Sequence, residues 1–228
     1  MAEHALGLTD EQVRVTLAGL KTQHRVPFYM PEERLPKSYP SDTHWDIDLN
    51  GEPVFMACWK VSEPEGGGVV FPIKCPFGDA GDILWVKESI RAEYDIDATY
   101  SHACLRYRAD MERRFVEFAE YPEWDRLPRT APWIRPVDMP RWASRLDLTV
   151  KRVWVERLCV DTDEAIAAGA SGHWDKNGYS FDIAFATAPQ ANFRRDWDAL
   201  WAKRGLGWDA NPWVWACECE WRRKGAGE

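Results

Sequence analysis

The sequence predicts an α+β protein in which β-strands make up most of the core. Several segments alternate apolar and polar residues over about five positions, which is the pattern of a β-strand. Three separate segments repeat apolar residues every three or four positions, which predicts short amphipathic helices. Residues 91–138, near the middle of the chain, carry little of either pattern. Together these observations predict a strand-rich domain with flanking helices and an irregular insertion.

The first helix is predicted from about Thr9 to Leu20. Thr9 can cap its start, and Gln12 lies three residues later, where it completes a capping box. Val13, Leu17 and Leu20 follow the i, i+4, i+7 spacing of a single apolar stripe. The helix therefore delivers the polar segment after it to the rim of the structure on which it packs.

The first half of the chain also carries strand signals. Strands are predicted on both sides of Asn50-Gly51, because this dipeptide is a strong signal for the turn of a β-hairpin. A further strand is predicted from Ile83 to Lys87. Its side chains alternate, so Trp85 and Glu88 are expected on opposite faces.

A longer strand is predicted from Leu146 to Leu158. Its alternation slips by one position near Lys151, and a β-bulge there would restore the curvature of the sheet. Two helices are predicted after it, from Thr162 to Ala168 and from Ala191 to Lys203. The final strand follows Pro212.

The length of 228 residues fits one domain with an insertion. We predict a single domain over residues 1–228, whose core is formed by about residues 8–90 and 139–221. The insertion covers about residues 91–138. Long irregular insertions are often functional, so this one is a candidate lid.

The charge balance limits the partners that the protein can take. The formal net charge is -8 and the pI is about 5.3. A protein that coats a long stretch of nucleic acid usually has a basic surface. Any contact with nucleic acid is therefore expected to be local, with one base or nucleotide and a few phosphates.

The cysteines predict neither a zinc site nor a disulfide framework. The six are scattered, and no pair has the C-x-x-C spacing of a metal site. Cys217 and Cys219 share one face of the last strand and are expected to be buried thiols.

No secretory signal and no apolar run long enough for a membrane helix is visible, so we predict a cytoplasmic protein with reduced thiols. No cofactor and no metal is predicted.

The most informative segment is GLKTQHR, residues 19–25, which places four polar side chains just after a glycine. Lys21 can bind a phosphate or a base carbonyl, and burial would lower its pKa so that it serves as a general base or nucleophile. The alternative is a solvated surface lysine. His24 can transfer protons near neutral pH or form a polar pocket wall. Arg25 can donate two hydrogen bonds to a phosphate or a base edge, and Thr22 is expected beside them.

This segment resembles the signature of the ASCH domains, which is roughly G-x-K-x-x-E/T-x-R. Three further blocks support the resemblance: GDILWVKES at residues 81–89, MPRWASRLDL at 139–148 and WDANPWVWACE at 208–218. ASCH domains are small β-barrels of the PUA-like superfamily, and the resemblance implies that fold. The similar proteins occur mostly in phages and prophages, which would place this one in a host cytoplasm.

The resemblance also implies candidate chemistry. Some ASCH proteins are amidohydrolases that remove an acyl group from N4-acylated cytidine with a Lys, a Thr and a Glu, and others resemble ribonucleases or RNA binders. The helix that carries the family's glutamate has Ala168 just before its glycine here. Glu164 lies one turn earlier, and Glu88 is a second candidate for the carboxylate. The candidate catalytic set is therefore Lys21, His24 and Glu88.

A second group of candidate ligand-binding residues follows the insertion. Residues 140–145 combine two guanidinium groups, an indole and a hydroxyl, which suits a clamp on a phosphate and a base. The alternative is a tryptophan buried under the barrel with two surface arginines. The ligand-binding candidates beyond Thr22 and Arg25 are Trp85, Tyr107, Arg141, Trp142, Ser144 and Arg145.

Two functions from different classes fit these residues. The first is recognition of a nucleotide, a modified nucleoside or a flipped base of a nucleic acid strand in a pocket at the barrel mouth. The second is a hydrolase that acts on a modified nucleoside or on RNA. We expect Lys21→Ala to abolish binding or turnover with little loss of stability. We also expect Trp142→Ala to weaken binding more than Trp201→Ala, which should mainly destabilise the core. The sequence predicts no oligomeric state.

Overall fold

The computed structural model describes residues 1–27, 42–47, 53–60, 68–93, 102–117, 133–160, 162–170, 173–175, 178–180 and 188–224. These residues form a mixed α+β fold, as the sequence predicts. The helices are α1 (Asp10–Leu17), α2 (Thr162–Ala167) and α3 (Ala188–Trp201). The strands are β1 (Glu3–Gly7), β2 (Gln23–Pro27), β3 (Asp42–Ile47), β4 (Pro53–Lys60), β5 (Gly68–Ile73), β6 (Ile83–Lys87), β7 (Ile90–Glu93), β8 (His102–Tyr107), β9 (Arg113–Glu117), β10 (Leu146–Arg157), β11 (His173–Asp175), β12 (Gly178–Ser180) and β13 (Trp213–Arg223).

The main sheet has five strands in the order β1-β6-β10-β13-β2. β1 runs parallel to β6, and the other neighbours are antiparallel. The expected barrel is not closed by the described residues, because no ladder joins the edge strands β1 and β2. A cleft lined by residues of both strands lies between these edges. The coarser prediction of a strand-rich α+β domain is confirmed.

Two apolar layers cover the two faces of this sheet. Residues in register on neighbouring strands share a face. One face carries Trp215, Cys217 and Leu148 and packs against α1 in the largest apolar cluster. The opposite face carries Val214, over which α2 and α3 pack with Trp197 among their contacts. The sheet is therefore buried on both sides near β13.

The long strand β10 contains the bulge that the sequence predicts. Its register against β13 shifts between Val150 and Arg152, which leaves Lys151 without a partner position. An extra residue in one strand bends the strand and increases its twist. The slip in alternation is therefore a real feature of the backbone.

The helix ends follow local rules, with small departures from the predicted bounds. Thr9 caps α1, and the capping box with Gln12 is present. The helix ends at Leu17, earlier than predicted, because Gly19 adopts a φ of 75° that a helix cannot continue. α3 begins three residues before the predicted start, and a 3-10 turn, Ala202–Arg204, completes it.

Two smaller three-stranded sheets accompany the main sheet. β3 and β4 pair antiparallel as the predicted hairpin, with Ile47 opposite Pro53, and β5 pairs with β4. The Asn50-Gly51 turn itself lies outside the described residues. The insertion contributes the sheet β7-β8-β9, so it is more regular than predicted. No helix in the described part of the chain is long and apolar enough to cross a membrane.

Candidate functional site

Lys21 is almost fully buried where the chain leaves α1 and enters β2. Its exposed fraction is 1%. Its Nζ donates hydrogen bonds to the carbonyl oxygen of Gln23 at 2.6 Å and to that of Ala168 at 2.5 Å. Ala168 follows α2 by one residue, so the amine joins the start of β2 to the end of that helix. The carboxyl end of a helix is partially negative and attracts a cation.

Burial lowers the pKa of the Lys21 ammonium to about 7. The thiols of Cys217 and Cys219 oppose this shift, and the charge of Arg25 adds to it. A lysine with a pKa near neutrality is partly deprotonated at physiological pH, and the neutral amine can act as a base. The solvated surface lysine, which the sequence left open, does not describe this side chain.

Gly169 makes the close approach of α2 to Lys21 possible. Its φ is 84°, in the left-handed region that favours glycine. A Cβ atom at this position would lie 2.8 Å from Cδ of Lys21 and 3.1 Å from a methyl group of Val15. The glycine therefore provides both the turn after α2 and the space for the lysine.

His24 and Arg25 are neighbours on β2, so their side chains point to opposite faces of the sheet. His24 lies opposite Cys217 and meets the ring of Phe77 edge-on, with 5.8 Å between ring centroids. Burial, followed by the charges of Lys21 and Arg25, lowers the pKa of His24 well below its ordinary value. Its imidazole is therefore neutral near pH 7 and can accept or donate a hydrogen bond.

Arg25 lies on the face that α2 covers, and its side chain is 1% exposed. Its Nε donates to Oε1 of Glu156 at 2.8 Å, and the other oxygen of Glu156 accepts from Nε1 of Trp154. Its Nη2 is 3.7 Å from a carboxylate oxygen of Glu164. Neither terminal nitrogen of the guanidinium donates a hydrogen bond to a described residue. A buried donor without an acceptor costs free energy, so these nitrogens would gain from an acceptor that a ligand brought to them.

The cleft between the sheet edges has a volume of about 1120 Å³. Residues 6–8 and 24–26 line it from the two edges, residues 9–12 line it from the start of α1, and Ala168 and Gly169 line it from the end of α2. Phe193, Trp197 and Trp201 of α3 form an aromatic wall. Pockets for small molecules combine such apolar walls with a few polar groups. Lys21 lies behind Ala168 and does not itself line the cleft.

The aromatic wall combines flat rings with a cation. Trp197 is buried, and its ring centroid lies 6.0 Å from that of Trp201. Trp201 is partly exposed, and the guanidinium carbon of Arg204 lies 5.1 Å from the centroid of its ring. A partly exposed indole can stack on a nucleobase. The aromatic wall and the polar residues of β2 therefore line the same cleft, a combination suited to a planar ligand.

The predicted clamp residues form two groups, and both lie away from Lys21. Arg145 forms a two-pronged pair with Glu88, at 2.8 and 2.9 Å, and both side chains are buried. Tyr107 lies under the Arg145 guanidinium and donates to the Ala143 carbonyl, and Ser144 donates to backbone carbonyls. This cluster joins the end of β6 to the insertion. Among the described residues, its contacts are those of a structural network.

The charges of this network reinforce one another. Burial alone would lower the pKa of Arg145, but its bonds to Glu88 and Asp110 raise the pKa above its ordinary value. Burial raises the pKa of the Glu88 carboxyl, and Arg145 opposes that shift. Burial also raises the pKa of Tyr107 to about 12. The structure therefore pairs Glu88 with a guanidinium and does not bring it to Lys21.

The remaining clamp residues lie near the surface. Arg141 pairs with both carboxylate oxygens of Glu3 at 2.8 Å and lies 5.6 Å from the ring centroid of Trp85. Trp142 packs against the apolar cluster of the insertion and does not line the cleft. Thr22 is exposed, and its backbone carbonyl accepts from the amide of Cys219. Of the predicted site residues, the structure therefore brings Lys21, His24 and Arg25 together.

Sequence reasoning missed several residues of this site. Glu156 is placed at Arg25 by the pairing of β10, β13 and β2, which no local pattern reveals. Trp201 packs against the core as expected, but it also lines the cleft. Its place near the end of the helix, followed by two cations, is a signal for a partly exposed position.

No described carboxylate forms an ion pair with Lys21. Such a carboxylate would support chemistry at the amine, because a base or nucleophile is usually held by a partner. Among the residues that the structure describes, no group of three or more His, Cys, Asp or Glu side chains could hold a metal ion. The arrangement favours binding through Arg25 and the aromatic wall.

Comparisons with protein-family models, with curated proteins and with solved structures all return no match to this chain. The class that the fold and the site define is an α+β protein whose open sheet carries a cleft at its two unpaired edges. The resemblance to ASCH domains stays a prediction.

Proposed function

We propose that this protein binds a single nucleotide or modified nucleoside, free or flipped out of a nucleic acid strand, in the cleft between β1 and β2. One observation carries the proposal. The buried guanidinium of Arg25 has two terminal nitrogens without a hydrogen-bond acceptor among the described residues, and Arg25 lines a cleft that aromatic residues of α3 also line. A base offers both a ring to stack and an edge that accepts hydrogen bonds.

The charges around Arg25 favour the base edge over the phosphate as its partner. Glu156 and Glu164 both lie at its guanidinium and balance its charge. A phosphate there would be repelled by two carboxylates, whereas a neutral base edge would not. Neutral His24 adds a second polar group at the same edge of the sheet. The site therefore suits a planar neutral group, with any phosphate held nearer the cleft rim.

A second function, hydrolysis of a modified nucleoside or of RNA, is favoured by one further observation. The pKa of Lys21 is lowered to about 7, so an amine that can take a proton lies behind the cleft wall. The amine would reach a ligand only if the segment around Ala168 moved. We rank this function second because Lys21 has no carboxylate partner among the described residues.

The proposal is tested with a panel of nucleosides, nucleoside monophosphates and N4-acylated cytidines. Binding is measured by calorimetry, and turnover is measured by mass spectrometry of the same mixtures. We expect at least one panel member to bind and Arg25→Gln to weaken it at least tenfold, in line with the loss of about two hydrogen bonds to a charged group. Arg157→Gln is the matched control, because Arg157 stacks on Trp213 and does not line the cleft.

Three outcomes decide between the functions. Binding without turnover, lost in Arg25→Gln and kept in Arg157→Gln, supports the binding function. Turnover by the wild type that Lys21→Met abolishes supports the hydrolase. If no panel member binds, or if both arginine variants weaken binding equally, the proposed site is wrong.

A further inference from the structure

The insertion sheet β7-β8-β9 has one apolar face and one charged face, on which three arginines outnumber Glu93 and Glu117. Ile90, Leu105 and Val116 pack into the cluster beneath it. On the other face, Arg91 lies opposite Arg106, which lies opposite Arg113, so three arginines form a row across the strands. Neighbouring strands are about 5 Å apart, so the row spans roughly 10 Å.

An exposed aromatic ring lies beside this row. Phe115 is opposite Cys104, on the same face and one row along. It is 66% exposed, whereas Cys104 beside it is buried. An exposed Phe115 does not obtain the favourable free energy that burial of its apolar surface would give. Its position next to three cations is the combination that a single-stranded nucleic acid contacts with its phosphates and bases.

The row of arginines works against the stability of the sheet. Like charges directly opposite each other on neighbouring strands are destabilising. Glu93 partly offsets them: it pairs with Arg106 at 2.7 Å and with Arg113 at 3.8 Å. The hydrogen bond from Arg106, followed by the charges of the arginines, lowers the pKa of Glu93. Arg91 forms no ion pair with a described residue and is exposed. A local arrangement that costs stability often marks a functional surface.

We propose that this face, formed by Arg91, Arg106, Arg113 and Phe115, binds the backbone of a single-stranded nucleic acid and stacks one base on Phe115. The charge complementarity is local, since the whole chain carries a net charge of -8. The face lies on a different sheet from the cleft residues of β1 and β2. It is therefore a second site, and it does not depend on what the cleft binds.

The test uses fluorescence anisotropy with labelled 12-nucleotide oligo(U) and oligo(dT) at 50 mM salt. We expect wild-type protein to bind at least one of them. Arg91→Gln/Arg113→Gln should weaken that binding at least tenfold and lower the slope of log affinity against log salt by about 1.4, because each phosphate contact on a single strand contributes about 0.7. Phe115→Ala should weaken it about fivefold or more, through loss of stacking.

Two controls match these changes. Arg152→Gln/Arg195→Gln removes the same charge from exposed arginines on β10 and α3. Met111→Ala removes an apolar side chain that is 51% exposed and does not line the cleft. Circular dichroism and thermal melting establish that each variant is folded. Both controls are expected to bind like wild type.

The remaining outcomes overturn the proposal. The proposal is wrong if wild-type protein binds neither oligonucleotide. It is also wrong if Arg91→Gln/Arg113→Gln and the control Arg152→Gln/Arg195→Gln weaken binding equally. Binding of a polyglutamate peptide as tightly as the oligonucleotides, with no effect of Phe115→Ala, would identify a surface for acidic peptides. Arg25→Gln separates the two sites, because it should leave oligonucleotide binding by this face unchanged even where nucleoside binding is lost.

Discussion

A lysine at the end of a polar turn is usually solvated, but Lys21 is enclosed by three elements of the fold. Its amine is held by two carbonyls, one of them 147 residues away in sequence, at Ala168. Its aliphatic part passes against Gly169. Removing this side chain would leave a cavity and two carbonyls without donors. We therefore expect Lys21→Ala to lower stability, in place of the near-neutral effect that the sequence indicated.

The depressed pKa of Lys21 predicts a stability that rises with pH. The folded pKa is about 7, and an unfolded lysine titrates near about 10.4. Between these values the unfolded chain binds more protons, so the free energy of unfolding gains up to about 1.4 kcal/mol per pH unit. This increase in the free energy of unfolding is lost as the pH falls from about 10.4 through the folded pKa of about 7. Urea unfolding of wild type and Lys21→Met from pH 6.5 to 9.5 measures this difference.

The control for that measurement is Lys151→Met, which removes an exposed lysine. Its stability should follow the wild-type pH dependence, because the Lys151 side chain lies at the surface, 51% exposed. A Lys21→Met curve parallel to wild type would show that Lys21 is charged and solvated in the folded protein.

Gly169 offers a separate test of the same contact. Gly169→Ala places a Cβ atom 2.8 Å from Lys21 and strains a backbone with a φ of 84°. Gly205→Ala has a similar φ of 74° but meets nothing within 4 Å. We expect both to destabilise, with Gly169→Ala the worse by about 1–3 kcal/mol, the usual cost of overpacking. Equal losses in thermal unfolding would mean that the contact with Lys21 has no energetic weight.

At the scale of elements, α3 and the 3-10 turn at residues 141–143 each pack a tryptophan against an apolar cluster. Trp201 of α3 packs against its cluster, is partly exposed and also lines the cleft. Trp142 packs against the apolar cluster of the insertion and does not line the cleft. The difference arises because α3 packs against the cluster that includes Val214 of β13 and its last turn reaches the cleft, whereas the 3-10 turn packs against the cluster beneath the insertion sheet.

Because Trp201 lines the cleft and Trp142 does not, substituting each by alanine should have a different effect. Trp201→Ala should weaken nucleoside binding about tenfold, since stacking on one base is worth about 1–3 kcal/mol. Trp142→Ala should leave binding unchanged and lower stability by about 2–4 kcal/mol, through the cavity it leaves. Calorimetry and chemical unfolding of both variants measure the two effects. Loss of binding in Trp142→Ala but not in Trp201→Ala would mean that the ligand binds near Trp142.

Arg145 joins three elements through one guanidinium. It bonds to Glu88 after β6 and to Asp110 and Glu112 in the turn between β8 and β9. Removal of one partner leaves a buried charge without compensation, so Arg145→Met should destabilise by about 3–5 kcal/mol. Nucleoside binding by the folded fraction should be unchanged. If the folded Arg145→Met protein failed to bind the nucleoside, Arg145 would be a ligand contact after all.

At the scale of the whole molecule, the net charge of -8 limits non-specific binding. We expect no binding of a 30-base-pair duplex at 150 mM salt, because a duplex has a high density of negative charge and needs a broad basic surface. Anisotropy with labelled duplex measures this. Duplex binding at or below about 1 µM would exceed ordinary non-specific affinity and would contradict the local sites inferred for this protein.

Local patterns in the sequence determined the features that depend on neighbouring residues. The capping box at Thr9, the bulge near Lys151 and the shared face of Cys217 and Cys219 are all present. Each depends on the period of a helix or strand, or on contacts within a few positions. The α+β class follows from the same periods. The segment at residues 19–25 leads into β2, an edge strand of the main sheet.

Only the tertiary structure decided the partners of the site and the closure of the sheet. Arg25 meets Glu156 across 131 positions of sequence, and Arg145 meets Glu88 across 57. Burial and ion pairing arise from such long-range contacts, and a single sequence carries no signal for them. β1 and β2 are the edges of the main sheet, and no ladder among the described residues joins them. The sequence located a polar segment, whereas the fold decided that Lys21, His24 and Arg25 are buried and Thr22 is exposed.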